Sequence, residues 1–246
     1  ELHRIGMPLV RPFVTSFGRQ TERDVLLVHV LTDVGDGWGE CVAGSAPVYS
    51  AEWVDGAEAV IRDYLAPALL AEEIVEAWDV ARVTKFVVGH RMAKAALEMA
   101  VLDAQLRSTG ESFASYFGAT RTEVDCGVSV GIAASIPELL DEVRGYVDAG
   151  YKRIKLKVKP GWDLEPTAAV RDLIGPDMPL QVDANTAYTS YDVAHLQNFD
   201  DYGLLLIEQP FAEEDIALHV LLSAAMRTPV CLDESIVSAD VAARSQ

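Results

Sequence analysis

Residues 151–160, YKRIKLKVKP, place lysines at three alternate positions, Lys155, Lys157 and Lys159, with apolar residues between them. This alternation predicts a β-strand, and because strand side chains point to opposite faces in turn, the three lysines share one face. A lone K-x-K pair is typical of a strand whose charged side meets water. The rest of the chain must show whether this lysine face does anything more.

Strand, turn and helix patterns repeat on both sides of that stretch, from about residue 124 onward. DCGVSVGI is a predicted strand, and SIPELLDEVRGYVDAG is a predicted helix that opens with a capping box from Ser135 to Glu138. The later predicted strands are YKRIKLKV, PLQVDAN, GLLLIEQP and PVCLDES, each followed by a helical pattern. Five such units predict a parallel sheet, and the lack of a Gly-rich phosphate loop favours a (β/α) barrel over a doubly wound sheet.

The first half of the chain has a different pattern. DVLLVHVLTD and GWGECVAG are predicted antiparallel strands joined by the turn VGDG, and helical patterns follow in 51–70, 73–87 and 90–108. The G-x-G-x-G in this hairpin lacks the following helix of a dinucleotide-binding fingerprint. We therefore predict an α+β domain over residues 1–123 and a barrel domain over 124–246.

Composition narrows the function classes. The 246 residues carry a formal net charge of −18, which disfavours a nucleic-acid partner. No apolar run is long enough to cross a membrane, and residues 1–13 lack a signal-peptide core, so we expect a cytoplasmic protein without a membrane partner. Cys41, Cys126 and Cys231 have no C-x-x-C spacing and are expected to be reduced thiols.

Polar residues end four of the predicted strands: Lys157, Asp183, Glu208 and Asp233. Their separations of 26, 25 and 25 residues correspond to one strand and helix unit each. A single acidic residue at a strand end is ordinarily a helix cap or a surface charge. Three at equal spacing converge at the mouth of a barrel and form the oxygen ligand set of a hard divalent cation such as Mg²⁺.

A metal centre would explain the lysine face. A lysine one strand away from a cation, beside a second ammonium and shielded from water, has a lowered pKa and can act as a base.

These motifs resemble those of the enolase superfamily, in its muconate-lactonizing-enzyme subgroup, and most of all those of o-succinylbenzoate synthases and N-succinylamino acid racemases. The matching segments are KLK at 155–157, VDAN at 182–185, IEQP at 207–210, LDES at 232–235, GWGEC at 37–41 and ALEMAVLDAQL at 96–106. The resemblance extends over essentially the whole chain. It implies an α+β capping domain and a (β/α)₇β barrel, of which about five strands are present.

The resemblance also implies roles for individual residues. Mg²⁺, or Mn²⁺ or another divalent metal, would bind Asp183, Glu208 and Asp233. Lys157 would be the acid/base catalyst, and Lys155 would orient it and adjust its pKa. The implied substrate contacts are Ser129, Asn185, Phe17 and Tyr49.

The implied chemistry is removal of a proton α to a carboxylate of a small molecule, giving an enediolate. We expect an o-succinylbenzoate synthase, a menaquinone-pathway lyase that eliminates water in the syn sense, with N-acylamino acid racemase activity and a homo-oligomeric state. A dipeptide epimerase, a cycloisomerase and an inert metal-binding fragment are the alternatives.

Two further expectations follow. The family's barrel has a second lysine about one unit beyond Asp233, near position 258, so we expect a chain of 246 residues to be incomplete. The five histidines, His3, His29, His90, His195 and His219, have no metal-binding motif spacing and are expected on the surface or on helix faces.

Overall fold

A computed structural model describes residues 1–73 and 75–245 of the chain. The chain divides into two compact units. The first comprises Glu1–Pro12 and Gln20–Thr122, and the second comprises Phe13–Arg19 and Glu123–Gln246. Residue 74, near the start of the predicted helix 73–87, lies outside the described residues.

The first unit contains a set of helices and most of a three-stranded sheet, in which residues 13–19 of β1 and β2 and their turn are assigned to the second unit. The strands are β1 (Leu2–Thr15), β2 (Gly18–Thr32) and β3 (Gly35–Cys41), in the order β1-β2-β3, and β2 and β3 are antiparallel. The helices are α1 (Val54–Val60), a π-helical turn (Ile61–Leu65), α2 (Ala66–Leu70), α3 (Ala77–Val83), a 3-10 turn (Thr84–Phe86), α4 (Arg91–Thr109) and α5 (Phe113–Tyr116). The predicted hairpin and α+β character are confirmed.

Two glycines of the GWG motif explain how helix α4 packs on strand β3. A side chain at Gly37 would collide with the backbone of Ala100 and Ala104, and one at Gly39 would collide with the carbonyl oxygen of Ala96. The motif therefore serves close contact between sheet and helix. Alanines at these positions of α4 complete the fit, because their small side chains let the two backbones approach.

The second unit contains a five-stranded parallel sheet in the order β4-β5-β6-β7-β8. The strands are β4 (Gly127–Val130), β5 (Arg153–Lys157), β6 (Leu180–Asp183), β7 (Ile207–Glu208) and β8 (Val230–Cys231). The helices are α6 (Ile136–Asp148), α7 (Leu164–Ile174), a 3-10 turn (Ser190–Asp192), α8 (Val193–Leu196), a 3-10 turn (Gln197–Tyr202), α9 (Ile216–Ala225) and α10 (Ala239–Arg244). Five alternating strands and helices confirm the predicted barrel-type architecture.

Strand β5 has two different faces, as its alternation predicts. Ile154 and Leu156 are buried in the core of the second unit with Leu180, Val182 and Ile207. The lysines on the opposite face are not in open water, because Lys157 is only 9% exposed. Burial of a charged group is tolerated when opposite charges and hydrogen bonds compensate it, so the lysine face must have partners.

Strand β5 ends at Lys157, two residues before the last lysine of the alternating row. Lys159 lies in the following loop, where its backbone exchanges two hydrogen bonds with that of Trp162. In the described part of the chain, no helix is both long enough and apolar enough to cross a membrane.

Candidate metal and acid/base site

The site lies where the parallel strands end, and strand register brings its residues together. Lys157 pairs with Asp183, and Asp183 pairs with Glu208, on neighbouring strands. Equal spacing along the sequence therefore corresponds to equal height in the sheet for these three residues. Glu208 pairs in turn with Cys231, which places Asp233 two residues beyond the end of β8.

Both lysines of β5 contact the same carboxylate. The Lys157 Nζ atom lies 2.6 Å from Asp183 Oδ2, and the Lys155 Nζ atom lies 3.0 Å from the same oxygen. Lys155 also donates to both oxygens of Glu208, at 3.0 and 3.2 Å. Lys155 thus joins Asp183 to Glu208, and each buried charge has a partner of opposite sign.

The electrostatics of this cluster follow from burial and proximity. Burial lowers the pKa of Lys155, but the charge of Asp183 and the hydrogen bonds to both carboxylates outweigh it and raise that pKa. Burial opposes ionisation of Asp183, yet the charge of Lys157 holds its pKa below the usual range. Glu208 behaves differently, because burial and then the negative charge of Asp183 raise its pKa. The cluster therefore favours additional positive charge next to Glu208.

Gln209 holds the loop that carries Asp233. Its fully buried side chain accepts hydrogen bonds from the backbone N–H groups of Asp233, at 2.8 Å, and Ser235, at 3.2 Å. Its amide nitrogen donates to the Ser235 hydroxyl at 2.7 Å and to the Phe211 carbonyl at 3.2 Å. Our sequence analysis did not single out Gln209. The sequence feature that could have pointed to Gln209 is its position between the strand-ending Glu208 and Pro210.

Asn185 connects Lys157 to a further acidic residue. Its side-chain oxygen accepts a hydrogen bond from Lys157 Nζ at 2.7 Å, and its amide nitrogen donates to Glu234 Oε1 at 3.0 Å. Its backbone N–H donates to Asp183 Oδ1 at 3.1 Å. The residue has a left-handed backbone, with φ of 41°, a conformation that asparagine tolerates better than most residues. We predicted that Asn185 contacts the substrate. Its side-chain oxygen and nitrogen are both bonded to other protein groups in this structure.

The other predicted substrate contacts occupy different parts of the molecule. Ser129 pairs with Lys155 across the β4–β5 ladder, and its buried hydroxyl oxygen has no hydrogen-bond partner. Phe17 belongs to the second unit with residues 13–19, whereas Tyr49 belongs to the first unit. Both aromatic side chains are 44% exposed.

Residues of the 13–19 segment contact the site directly. The Lys157 Nζ atom lies 6.0 Å from the centre of the Phe13 ring, and the Ser16 hydroxyl donates to the carbonyl oxygen of Asn185 at 3.1 Å. The segment therefore lies next to Lys157 and to the loop after β6. Sequence patterns did not identify Phe13 or Ser16, since neither follows a strand of the parallel sheet.

The chemical type of the donors present, rather than their spacing, fits a divalent cation. Asp183, Glu208 and Asp233 provide carboxylate oxygens, the ligands that hard cations prefer, and the charges of Asp183 and Asp233 both raise the pKa of Glu208. Among the described residues, the ligand oxygens of these three do not all come within 4.8 Å of one another. A cation on the same carboxylates would repel the Lys155 ammonium and act against its raised pKa.

Comparison with known proteins gives a consistent result for both units. Residues 3–118 match the family described as mandelate racemase/muconate lactonizing enzyme, N-terminal domain, and residues 138–245 match the family described as enolase C-terminal domain-like. An N-succinylamino acid racemase of an Amycolatopsis species is 58% identical, with 99% of this chain and 66% of that protein covered. An o-succinylbenzoate synthase of Enterococcus faecalis is 41% identical, with 97% and 65% covered.

The fold comparison agrees. A crystal structure of an enolase-superfamily member from Listeria innocua matches with a TM-score of 0.93 at 35% identity, covering 99% of this chain and 66% of that one. The chain thus spans slightly less than two thirds of the length of the curated relatives described above. Both family matches, the identities and the fold lead to one conclusion: the chain belongs to the enolase superfamily, within its mandelate racemase/muconate lactonizing enzyme family.

Proposed function

We propose that the protein is an o-succinylbenzoate synthase with N-succinylamino acid racemase activity, which removes a proton α to a carboxylate with the help of a divalent metal. The observation that carries this proposal is the buried Lys157 ammonium, which lies 2.6 Å from the carboxylate of Asp183 at the end of β6. Asp183 is in turn paired with Glu208 on the next strand. A relative that is 58% identical has the racemase name, and one that is 41% identical has the synthase name.

In this proposal Lys157 is the acid/base catalyst. Its Nζ atom is held between Asp183 Oδ2 and Asn185 Oδ1, so the amine has a fixed position from which to take a proton. Lys155 holds Asp183 and Glu208 together and adds a second positive charge on the same strand. To take a proton from the substrate, Lys157 must offer the lone pair of its neutral amine.

Asp183, Glu208 and Asp233 are the proposed ligands, and we propose Mg²⁺ as the metal because all three donors are carboxylates. When bound, the cation supplies positive charge that stabilises the enediolate form of the substrate. Gln209 fixes the loop of Asp233, and the hydroxyl of Ser129, which pairs with the lysine strand, is free to bond a substrate oxygen.

The two reactions make different demands on this site. In syn elimination the proton and the hydroxyl leave from the same face of the ring, so Lys157 can remove the first and then protonate the second. Racemisation needs a base on each face of the α-carbon. We propose that Lys157 serves one of those faces.

The proposed cellular compartment follows from the free thiols. Cys41, Cys126 and Cys231 form no disulfide, which is typical of a reducing compartment, so we assign the enzyme to the cytoplasm. We further propose a homo-oligomer, which light scattering on the full-length protein will test.

Assays of the full-length protein with Mg²⁺ test the proposal. The cyclohexadiene carboxylate precursor of o-succinylbenzoate should be dehydrated, and N-succinylamino acids should exchange their α-proton in D₂O. Lys157→Ala should abolish both reactions. Turnover of dipeptides alone would support an epimerase instead, and absence of exchange with all three substrate classes would contradict the proposal.

A further inference from the structure

A cluster of potential metal ligands lies on the sheet of the first unit, in residues that the proposed reaction does not use. Glu1, His3 and His29 each offer one ligand atom, and the three atoms all lie within 4.8 Å of one another. Among the described residues, this is the only group of three or more His, Cys, Asp or Glu side chains that meets this distance.

The sheet itself builds this cluster. Glu1 and His29 exchange two backbone hydrogen bonds, of 2.8 and 2.9 Å, and are therefore directly opposite each other on adjacent strands. His3 is two residues further along the same strand and faces the same side. His29 is in turn paired with Trp38 on β3. The pairing of these strands thus places Glu1, His3, His29 and Trp38 on one face of the sheet.

That face is not the one covered by helix α4. The helix packs on Gly37 and Gly39, which flank Trp38 in β3 and therefore face the opposite side. The cluster is thus accessible, with Glu1 and His3 exposed and His29 half-buried. Trp38 stacks on the His29 ring at 3.9 Å between ring centres and holds its orientation.

The distances within the cluster suit a transition metal. The Glu1 Oε2 atom lies 3.2 Å from His3 Nε2 and 3.3 Å from His29 Nδ1. Ligands about 2.0–2.1 Å from a tetrahedral zinc ion are separated by about 3.3 Å. Two histidines and a carboxylate form a typical ligand set for zinc. The other ring nitrogen of His29 lies 2.8 Å from Asp36 Oδ2.

The contact with Asp36 bears on which ring nitrogen of His29 can bind a metal. When Nε2–H donates to Asp36, the Nδ1 atom has a lone pair and faces the Glu1 carboxylate, another acceptor. Two acceptors 3.3 Å apart need a cation or a proton between them. A carboxylate that orients a ligating histidine through its second nitrogen is a common feature of zinc sites.

We propose that Glu1, His3 and His29 form a binding site for a divalent transition-metal ion such as Zn²⁺, with Asp36 positioning His29. This proposal goes beyond our expectation of a surface role for His3 and His29. The site joins the start of β1 to β2 and is independent of the proposed reaction, since all its residues belong to the first unit.

Zinc titration of the full-length protein tests this site. Calorimetry is run with Zn²⁺ in saturating Mg²⁺, so that the carboxylates of the proposed catalytic centre are occupied. His3→Gln and His29→Gln should each lose one zinc equivalent or weaken its affinity at least ~10-fold, and Asp36→Asn should weaken it by about 10-fold to 100-fold. His195→Gln, an exposed histidine of the second unit, is the matched control and should bind zinc as the wild type does.

A spectroscopic measurement complements the titration. Cu²⁺, which binds nitrogen and oxygen ligands more tightly than Zn²⁺ does, should quench the fluorescence of Trp38 because that ring stacks on His29. Trp38→Phe should lose this quenching and keep the zinc equivalent. Zinc stoichiometry and affinity that are the same in the wild type, His3→Gln and His29→Gln, with circular dichroism showing all three folded, would overturn the proposal.

Discussion

The side-chain oxygen of Gln209 accepts a hydrogen bond from the backbone N–H of Asp233 at 2.8 Å. This bond matters because β8 ends at Cys231, so the sheet does not hold Asp233 in place. The position of the third proposed metal ligand is thus determined by a glutamine side chain on the neighbouring strand end.

Gln209→Met should weaken Mg²⁺ binding by about 10-fold, because support of a metal ligand from the surrounding protein is worth roughly that much. The unpaired polar groups left behind should cost about 1–3 kcal/mol of unfolding free energy. Calorimetry and urea titration measure the two effects. Gln197→Met, at an exposed position of the same unit, should change neither. Unchanged Mg²⁺ affinity in Gln209→Met would show that the hydrogen bonds of Gln209 have no influence on the proposed metal site.

Asp183→Asn, Glu208→Gln and Asp233→Asn should each weaken Mg²⁺ binding and reduce turnover below detection, since each removes one of the proposed anionic ligands. Asp177→Asn, an exposed acidic residue before β6, is the control for loss of charge. The ligand assignment is wrong if all three variants bind Mg²⁺ and turn over like the wild type.

Lys157→Ala should abolish α-proton exchange and leave Mg²⁺ affinity largely intact. Lys155→Ala should lower the rate less and shift the pH profile, because Lys155 contacts both carboxylates and lies beside the proposed base on the same strand. NMR in D₂O measures the exchange. Lys159→Ala is the natural control, since that residue lies beyond β5. Exchange lost in Lys159→Ala and retained in Lys157→Ala would contradict the assignment of the base.

His219 should make the second unit less stable at acidic pH. Burial lowers the pKa of this imidazole from its ordinary value of 6.5, and its Nε2 atom accepts a hydrogen bond from the Phe211 N–H at 3.3 Å. A depressed pKa means that the unfolded chain binds the proton more readily. The stabilisation is therefore complete above pH 6.5 and is lost as pH falls through the lower, folded value.

His219→Gln should remove that part of the acid sensitivity, so its unfolding free energy should vary less between pH 7.5 and pH 5 than that of the wild type. Urea titrations followed by circular dichroism at several pH values measure the difference. Val220→Gln alters an exposed position of the same helix without removing an ionisable group and should retain the wild-type slope. Identical slopes in wild type and His219→Gln would show that protonation of His219 does not affect stability.

Gly37→Ala should destabilise the first unit by about 1–3 kcal/mol or more, because the added methyl group overlaps the backbone of α4. Thermal denaturation will measure the loss. Gly18→Ala is the matched control, since nothing lies within 4 Å of the position of its added methyl group. Equal melting temperatures for Gly37→Ala and the wild type would mean that helix and sheet are not in close contact.

Much of the fold could be predicted because its signals are local. Alternating apolar residues identified strand β5, and the repeated strand and helix patterns identified the parallel sheet. Spacing also brought Lys157, Asp183 and Glu208 to one height, as their pairing shows. Asp233 has the same spacing but not the same height, because β8 ends at Cys231 and a count of residues does not reveal where a strand stops.

The residues that sequence analysis missed depend on contacts between distant positions. Gln209 resembles any polar residue after a strand, and only its buried hydrogen bonds to Phe211, Asp233 and Ser235 distinguish it. His3 and His29 are 26 positions apart and meet only through strand pairing, so motif spacing does not detect them. Such contacts require the register of the sheet.

The pairing of Lys157, Asp183 and Glu208 also has a consequence for recombination between relatives. Each of these residues lies at the far end of its strand, whereas the loops leading into the strands, such as residues 175–179, lie at the opposite edge of the sheet. Crossovers placed in those entry loops would exchange whole strand and helix units and preserve the pairing of the polar strand ends. Libraries of chimaeras could therefore vary the outer helices while the proposed reacting groups stay in place.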